Sequence, residues 1–403
     1  MITEKNKIRP LCLSFRTPPS NRPQAILISK MAPEWIAQGV NPIIVTYDAG
    51  GDWDIKAPVY KISQFEINKY LGKIPFVHGF FRNQYYKIIL TEAEEIIKKH
   101  NLNMIFSFSN PQESNIIGAM LKKRLNIPFV SYFSDPWYDY PYDPPLRPWT
   151  AGKILRQERF VVKNSDKVVF VNNQARELIM KKFPLLWKEK AEVIPHCYDL
   201  KDYPETKRDD KDKYIFSYIG IFYKDRNPEV FFMAFQKIFK EHAELKNKVE
   251  IRIIGMSNNY TGYDIKDVEK AVNKYGLEEN VKLIPPVSYK ESLRYMKLSD
   301  CLIVLDLNIP QSPFLPSKVV DYAGSGSIIL GITPEDSPAR DFLNNLGHKV
   351  FNYSQADELA VYLKKLILGE IKISVNQDFL KKYDVKNTTA KLMGIFKEVL
   401  GKK

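Results

Sequence analysis

Cysteine is nearly absent from this 403-residue chain, which has only Cys12, Cys197 and Cys301. So sparse and odd a set argues against a disulfide framework and for a reducing cytoplasm. The three fit no zinc spacing. The five histidines, His78, His100, His196, His242 and His348, are scattered with no cysteine or acid at ligand distance along the chain. No metal site is expected, and His196, near the domain boundary, reads as structural. Cys301 opens the apolar run Cys301-Leu302-Ile303-Val304-Leu305 and reads as core. No stretch is long and apolar enough to span a bilayer. The start, Met1 to Pro10, lacks the apolar segment of a secretory signal. Internal repeats, low-complexity tracts and nucleic-acid motifs are missing too, so no nucleic-acid partner is expected.

What the chain does contain is ordinary globular material, 44% hydrophobic and 27% charged. Its length suggests two domains, each with apolar residues enough for a core. The net charge is +13, divided roughly +9 to the first two hundred residues and roughly +4 to the rest. A membrane surface or a phosphorylated substrate would account for that excess, and so would a basic background composition with no partner behind it.

Short β-branched runs alternate with helical patterns, the signature of βαβ units and parallel sheets. The first half offers strands at 10–15, 42–46, 104–108, 129–132, 167–171 and 192–194. Helices end at Lys99 and cover 113–125 and 174–182. The polar stretch from Leu200 to Lys213 reads as a linker. Strands then recur at 214–218, 249–254, 281–284, 301–305 and 328–331, with helices at 228–239, 264–275, 290–297, from 317, 357–366 and 388–400. Two doubly wound α/β domains follow. We place the first over 1–203, a linker over 204–213, the second over 214–384, and a terminal helix over 385–403 that crosses back to the first domain. Paired domains of this kind bind ligands in the cleft between them, at the carboxyl ends of their strands.

Two segments carry candidate chemistry. In Tyr218-Ile219-Gly220-Ile221-Phe222-Tyr223-Lys224-Asp225-Arg226-Asn227-Pro228-Glu229 a strand ends at Gly220, a basic loop follows and a helix begins. Free N–H groups at that helix start favour an anion, and Arg226 offers a fork of donors suited to phosphate. The plain alternative is a solvated loop. In Pro313-Phe314-Leu315-Pro316-Ser317-Lys318-Val319-Val320-Asp321-Tyr322-Ala323-Gly324-Ser325-Gly326 a helix opens at Pro316 and Ser317. Lys318 falls in its first turn, where a cation is unfavourable unless an anion binds nearby. Asp321 shares its face and is suited to sugar hydroxyls. Gly324 and Gly326 read as the helix end. Here the alternative is a capped helix with a surface lysine.

The order and spacing of these segments, with Ser165-Asp166-Lys167-Val168-Val169-Phe170-Val171-Asn172, Val193-Ile194-Pro195-His196 and Leu298-Ser299-Asp300-Cys301-Leu302-Ile303-Val304, resemble the retaining glycosyltransferases of family 4. The resemblance implies the GT-B fold, two Rossmann-like domains facing across a cleft. It implies transfer from a nucleotide-sugar donor to a glycan or lipid-linked acceptor, with no other cofactor and no metal. Carried over residue by residue, Gly220, Arg226, Ser317, Lys318 and Asp321 would meet the donor, and Pro286 and Val287 its base. Asp321 would be the residue at the ribose. The family's first basic residue falls at Ile221 and its first glutamate at Pro313, two departures; Lys318 is the candidate for the missing charge. In the first half, Arg22, Ser114, Asn115 and Trp137 are candidates for acceptor or cleft contact, with helix capping as the alternative for Ser114 and Asn115. Asp135 in Ser134-Asp135-Pro136-Trp137 would hold or deprotonate the acceptor hydroxyl, with a buried capping role as its alternative. Asp135, Arg226 and Lys318 form the catalytic set.

Two aromatic and basic stretches, from Lys69 to Arg82 and from Trp137 to Trp149, suit peripheral contact with an anionic membrane, a lipid-linked acceptor, sugar stacking or helix packing. A cytoplasmic protein, in part at the inner membrane face, is expected. The competing function is a GT-B-like scaffold that has lost catalysis, motivated by Ile221 and Pro313. Epimerisation of a nucleotide sugar lacks the paired carboxylates that proton abstraction needs.

Overall fold

The computed structural model describes residues 7–20, 22–47, 55–63, 75–139, 147–206, 208, 212–256 and 262–401. The chain divides into two compact units, 1–196 with 385–403, and 197–384. In chain order the first runs β1 (Pro10–Leu13), α1 (Pro23–Ala37), β2 (Ile43–Thr46), β3 (Val59–Lys61), α2 (Pro75–Lys99), β4 (Met104–Phe108), α3 (Glu113–Leu125), β5 (Phe129–Phe133), α4 (Pro148–Asn164), β6 (Lys167–Phe170), α5 (Asn173–Met180), α6 (Leu185–Lys188) and β7 (Ala191–Val193). The second runs β8 (Tyr214–Ile219), α7 (Glu229–Glu241), β9 (Val249–Ile254), α8 (Ile265–Tyr275), β10 (Val281–Ile284), α9 (Tyr289–Lys297), β11 (Cys301–Leu305), α10 (Ser317–Ser325), β12 (Ile328–Ile332), α11 (Pro338–Leu346), β13 (Lys349–Phe351), α12 (Ala356–Ile367) and α13 (Gln377–Leu380). The last helix, α14 (Val385–Gly401), belongs to the first unit.

Both sheets are wholly parallel, ordered β3-β2-β1-β4-β5-β6-β7 and β10-β9-β8-β11-β12-β13. In each, strand order reverses beside the first strand, between β1 and β4 and between β8 and β11. That reversal opens a crevice at the strands' carboxyl ends, where doubly wound sheets bind ligands. The interior strands β1, β4, β5 and β11 are buried at every residue, because helices cover both sheet faces. Trp35 of α1 packs against Phe106, Phe108 and Phe396, which ties α14 into the first core. Residues 197–203 pack with the second unit: Tyr198 N–H donates to Tyr383 O at 3.0 Å and Tyr203 Oη to Asp321 O at 2.6 Å. The division thus precedes Tyr203. Of the stretch read as a linker, 207 and 209–211 lie outside the described residues, and Arg208 pairs with Asp300 at 2.7 Å.

One reading of the second sequence segment is corrected. Gly324 does not end α10; the helix continues to Ser325 and is capped by Gly326 at φ 80°. Gly324 is needed for space. A Cβ there would lie 2.5 Å from Tyr203 Oη and 2.8 Å from the Tyr198 ring.

Candidate active site

At the end of β8 the backbone turns through Gly220 at φ +129°, a conformation that side chains resist. Its N–H still donates to Ile254 O at 2.8 Å, so the turn stays fixed to β9. A second glycine turn, Gly255 at φ +97°, lies against it. Across the β8–β11 switch point, the first turn of α10 delivers Lys318 to the same spot. Its Nζ donates to Ile219 O at 3.1 Å and stands 3.8 Å from the centre of the Tyr218 ring. A Cβ on Gly220 would be 3.3 Å from that ammonium. Tyr218 is pinned by its own hydroxyl, which donates to Ile221 O at 2.8 Å, and Tyr322 Oη accepts from Ile219 N–H at 2.9 Å.

Lys318 is thus met by a carbonyl and a ring face, and among the described residues it forms no ion pair. Burial pulls its pKa well below the ordinary lysine value, and the Arg226 guanidinium adds to the shift. A cation in that state is stabilised by an arriving anion. Arg226 lies in the loop that follows, its guanidinium carbon 4.4 Å from the Tyr223 ring centre and its main chain paired reciprocally with Tyr223. The expected anion-binding start of α7 is partly occupied from within: Asn227 Oδ1 accepts from Glu229 N–H at 3.1 Å, and Glu229 itself fills the first turn. The site's positive character therefore comes from Lys318 and Arg226 more than from that helix.

Asp321 is placed on the inner side of α10 and is buried; its Oδ1 accepts from Tyr289 Oη at 3.1 Å. Ser317 opens α10 beside Lys318. Pro286 and Val287 form the loop after β10, Pro286 exposed and Val287 half-buried. A residue absent from the sequence argument organises the loop between β11 and α10. Asp306 is fully buried at the end of β11, where it accepts from Ser312 Oγ at 2.9 Å, Ser337 Oγ at 2.5 Å and Leu307 N–H at 2.7 Å. Burial raises its pKa; these bonds and Arg226 counter the rise. An acid one step beyond the carboxyl end of a buried parallel strand was the signal available for it.

In the first domain, Asp135 follows β5. Its Oδ2 accepts from Asn110 Nδ2 at 2.8 Å and from Ser134 Oγ at 3.1 Å. Burial pushes its pKa up, with both hydrogen bonds acting against the shift. Ser114 and Asn115 lie in the first turn of α3. Both are fully buried, Ser114 Oγ donating to Phe108 O and to Pro111 O, and Asn115 accepting from Ser107 Oγ at 2.6 Å. They fasten the start of α3 to β4. Trp137 is half-buried against the core, and Arg22 is exposed at the N-cap of α1. His196 is buried and held near pKa 3 by that burial and by Lys30. Of the two aromatic and basic stretches, 69–74 and 140–146 lie outside the described residues. Among the described residues no three His, Cys, Asp or Glu side chains gather to hold a metal, and no helix is long and apolar enough to cross a membrane.

Comparison with known proteins gives the family and the fold. The family description Glycosyltransferase Family 4 matches residues 24–202, and Glycosyl transferases group 1 matches residues 201–372. The chain belongs to these glycosyltransferases. A search of curated protein sequences finds no match. Among solved structures, a glycosyltransferase from Rickettsia africae aligns at TM-score 0.69 and 15% identity, covering 99% of this chain and 100% of the other. Anabaena HepE in complex with UDP and glucose aligns at TM-score 0.70 and 14% identity, covering 97% and 100%. The lipopolysaccharide outer core galactosyltransferase WaaB aligns at TM-score 0.62 and 13% identity, covering 96% and 99%. At these identities the likeness establishes the fold, the two Rossmann-like domains of the GT-B class. This glycosyltransferase therefore carries a group 1 domain whose switch point is lined by Gly220, Lys318 and Arg226.

Proposed function

We propose that this glycosyltransferase moves a sugar from a nucleotide diphosphate sugar to a hydroxyl of a glycan or lipid-linked acceptor, with retention at the anomeric carbon, during synthesis of a cell-surface polysaccharide or glycoconjugate. The observation that carries the reading is the Lys318 ammonium, held at the Gly220 turn without a carboxylate and with Arg226 as its charged neighbour. Such a pair stabilises the diphosphate that departs in the transition state, the main demand of the reaction. On this reading the leaving group's charge is met by side chains rather than by a divalent metal. Lys318 takes the place of the basic residue that relatives carry at Ile221. Ser317, Pro286 and Val287 would border the donor, with Asp321 at the ribose end, oriented by Tyr289. Binding of UDP and glucose by the Anabaena neighbour supports a donor of this class. The test is release of nucleoside diphosphate from a panel of nucleotide sugars. Neither turnover nor binding with any of them would leave the scaffold reading in place.

Asp135 is proposed to orient the acceptor hydroxyl and accept its proton, a role that its raised pKa suits. Asp135→Asn is expected to lower transfer about 100-fold while nucleotide affinity stays as it was. A change below about twofold would remove Asp135 from the chemistry.

Phe80, Phe81 and Trp149 are exposed on the first domain, and the Arg147 guanidinium lies 5.5 Å from the Trp149 ring centre. These groups support peripheral contact with an anionic membrane at the cytoplasmic face. The protein should float with vesicles containing phosphatidylglycerol and not with neutral ones; equal behaviour with both would refute the contact.

A further inference from the structure

The first domain has its own cavity, of about 240 Å³, lined by none of the proposed donor residues. It opens where the first sheet reverses its order. Arg16 reaches it from the loop after β1, Tyr47 from the end of β2 and Glu113 from the start of α3 after β4, while α2 contributes Arg82, Tyr85 and Tyr86. The crevice of a doubly wound sheet is therefore occupied here by a preformed pocket. Its volume lies below the roughly 300–1,000 Å³ of pockets for larger ligands, which suits a single ring better than a nucleotide sugar.

The lining narrows the chemistry further. Arg16 and Arg82 face one carboxylate, Glu113, so the pocket holds one positive charge in excess. The phenols of Tyr47 and Tyr86 are held neutral: burial pushes both pKa values up, and Glu113 adds to each shift. They offer ring surface and neutral O–H groups. The Arg16 guanidinium carbon is 5.8 Å from the centre of the Tyr47 ring, which fixes a planar donor fork beside an aromatic wall. Guanidinium forks recognise carboxylate and phosphate, and aromatic faces beside polar groups suit a saccharide ring.

We propose that this cavity is an acceptor subsite for an acidic sugar, a ring bearing a carboxylate or a phosphate. The assignment to the acceptor rests on the glycosyltransferase reading above; the preference for an acidic ring stands on the pocket alone.

The test uses the full chain and three probes, D-glucuronate, D-glucose 6-phosphate and D-glucose, with binding followed by ligand-observed NMR. One of the acidic probes should bind at least about tenfold more tightly than glucose, as charge-assisted bonds to arginine require. Preference for glucuronate identifies a carboxylate and preference for the phosphate a phosphosugar. Arg16→Gln and Arg82→Gln should each weaken that binding about tenfold while UDP affinity and thermal unfolding are unchanged. Glucose binding as well as both acids would overturn the proposal, as would acid binding indifferent to both substitutions. UDP binding measured in the same samples separates the two readings. UDP bound without acid selectivity defeats the subsite alone; an acid bound without UDP keeps the acid preference of the pocket and counts against a UDP-linked donor and the acceptor assignment that rests on it.

Discussion

Replacing Lys318 by methionine and Arg226 by alanine in one variant is expected to reduce sugar transfer by about 1,000-fold or more, with each single change costing about 100-fold or more. The reason is where the charge develops. The departing diphosphate gains negative charge as the glycosidic bond breaks, and fixed cations already in position stabilise that charge without reorganising. Lys318 is fixed by Ile219 O and the Tyr218 ring, and Arg226 by the paired turn with Tyr223. The two cations should act together, so the double variant should fall short of the product of the single effects. Steady-state release of nucleoside diphosphate checks this. Transfer within about threefold of the unaltered protein would mean that neither side chain meets the leaving group.

The same lysine should weaken the fold that carries it. Lys318→Met is expected to stabilise the second domain by about 0.5–2 kcal/mol even as it removes activity. At this size of domain that is a rise of roughly 2–4 °C in Tm per kcal/mol. The sign follows from linkage. Burial and Arg226 place the folded pKa of Lys318 below its unfolded value. Between those two values the unfolded chain holds a proton that the folded chain has released, so stability rises with pH there. Below the folded pKa the penalty is complete; above the unfolded value it vanishes. The gain from Lys318→Met should therefore be largest below the folded pKa and shrink as pH rises from there towards the unfolded value. Ligand linkage runs the other way: a bound diphosphate restores the proton, so donor affinity should fall as pH rises above the folded pKa. Thermal melts and binding isotherms across pH read both trends. A variant less stable than the parent at neutral pH would contradict the account of Lys318 as a strained cation kept for binding.

Much of this was legible in the chain because a parallel sheet covered on both faces leaves a plain mark. The run at β11 is continuously apolar, those at β4 and β8 are broken only by a serine, and β9 alternates Val249, Ile251 and Ile253 with Glu250 and Arg252, so each was readable as a strand without help. The edge strands β3 and β13 were not, being three residues each with no apolar alternation. Helix α1 escaped because it buries even Lys30 and Gln24 and contains Pro33, so that no polar face and no clean period remain. Helix α4 starts at Pro148 and Trp149, inside a stretch whose rings, prolines and charges suited membrane contact, a sugar or helix packing alike and carried no helical period. At the proposed donor site, Gly220, Arg226 and Lys318 were legible as separate motifs. Their meeting at one strand end was not, since it depends on β8 and β11 pairing side by side. Ser114 and Asn115 read more readily as helix caps than as cleft contacts, and both are completely buried. The pocket of Arg16, Tyr47, Arg82 and Glu113 had no signature at all, because its residues come from four separate elements with no common spacing.

Calorimetry of UDP, GDP, ADP and dTDP with the unaltered protein and with the Lys318→Met, Arg226→Ala variant, repeated in buffers of different ionisation enthalpy, tests the central claim most directly. The account predicts that at least one diphosphate binds, that protons are taken up on binding above the folded pKa of Lys318, and that the variant loses both. Equal affinity in the two proteins, or no nucleotide bound by either, would contradict it.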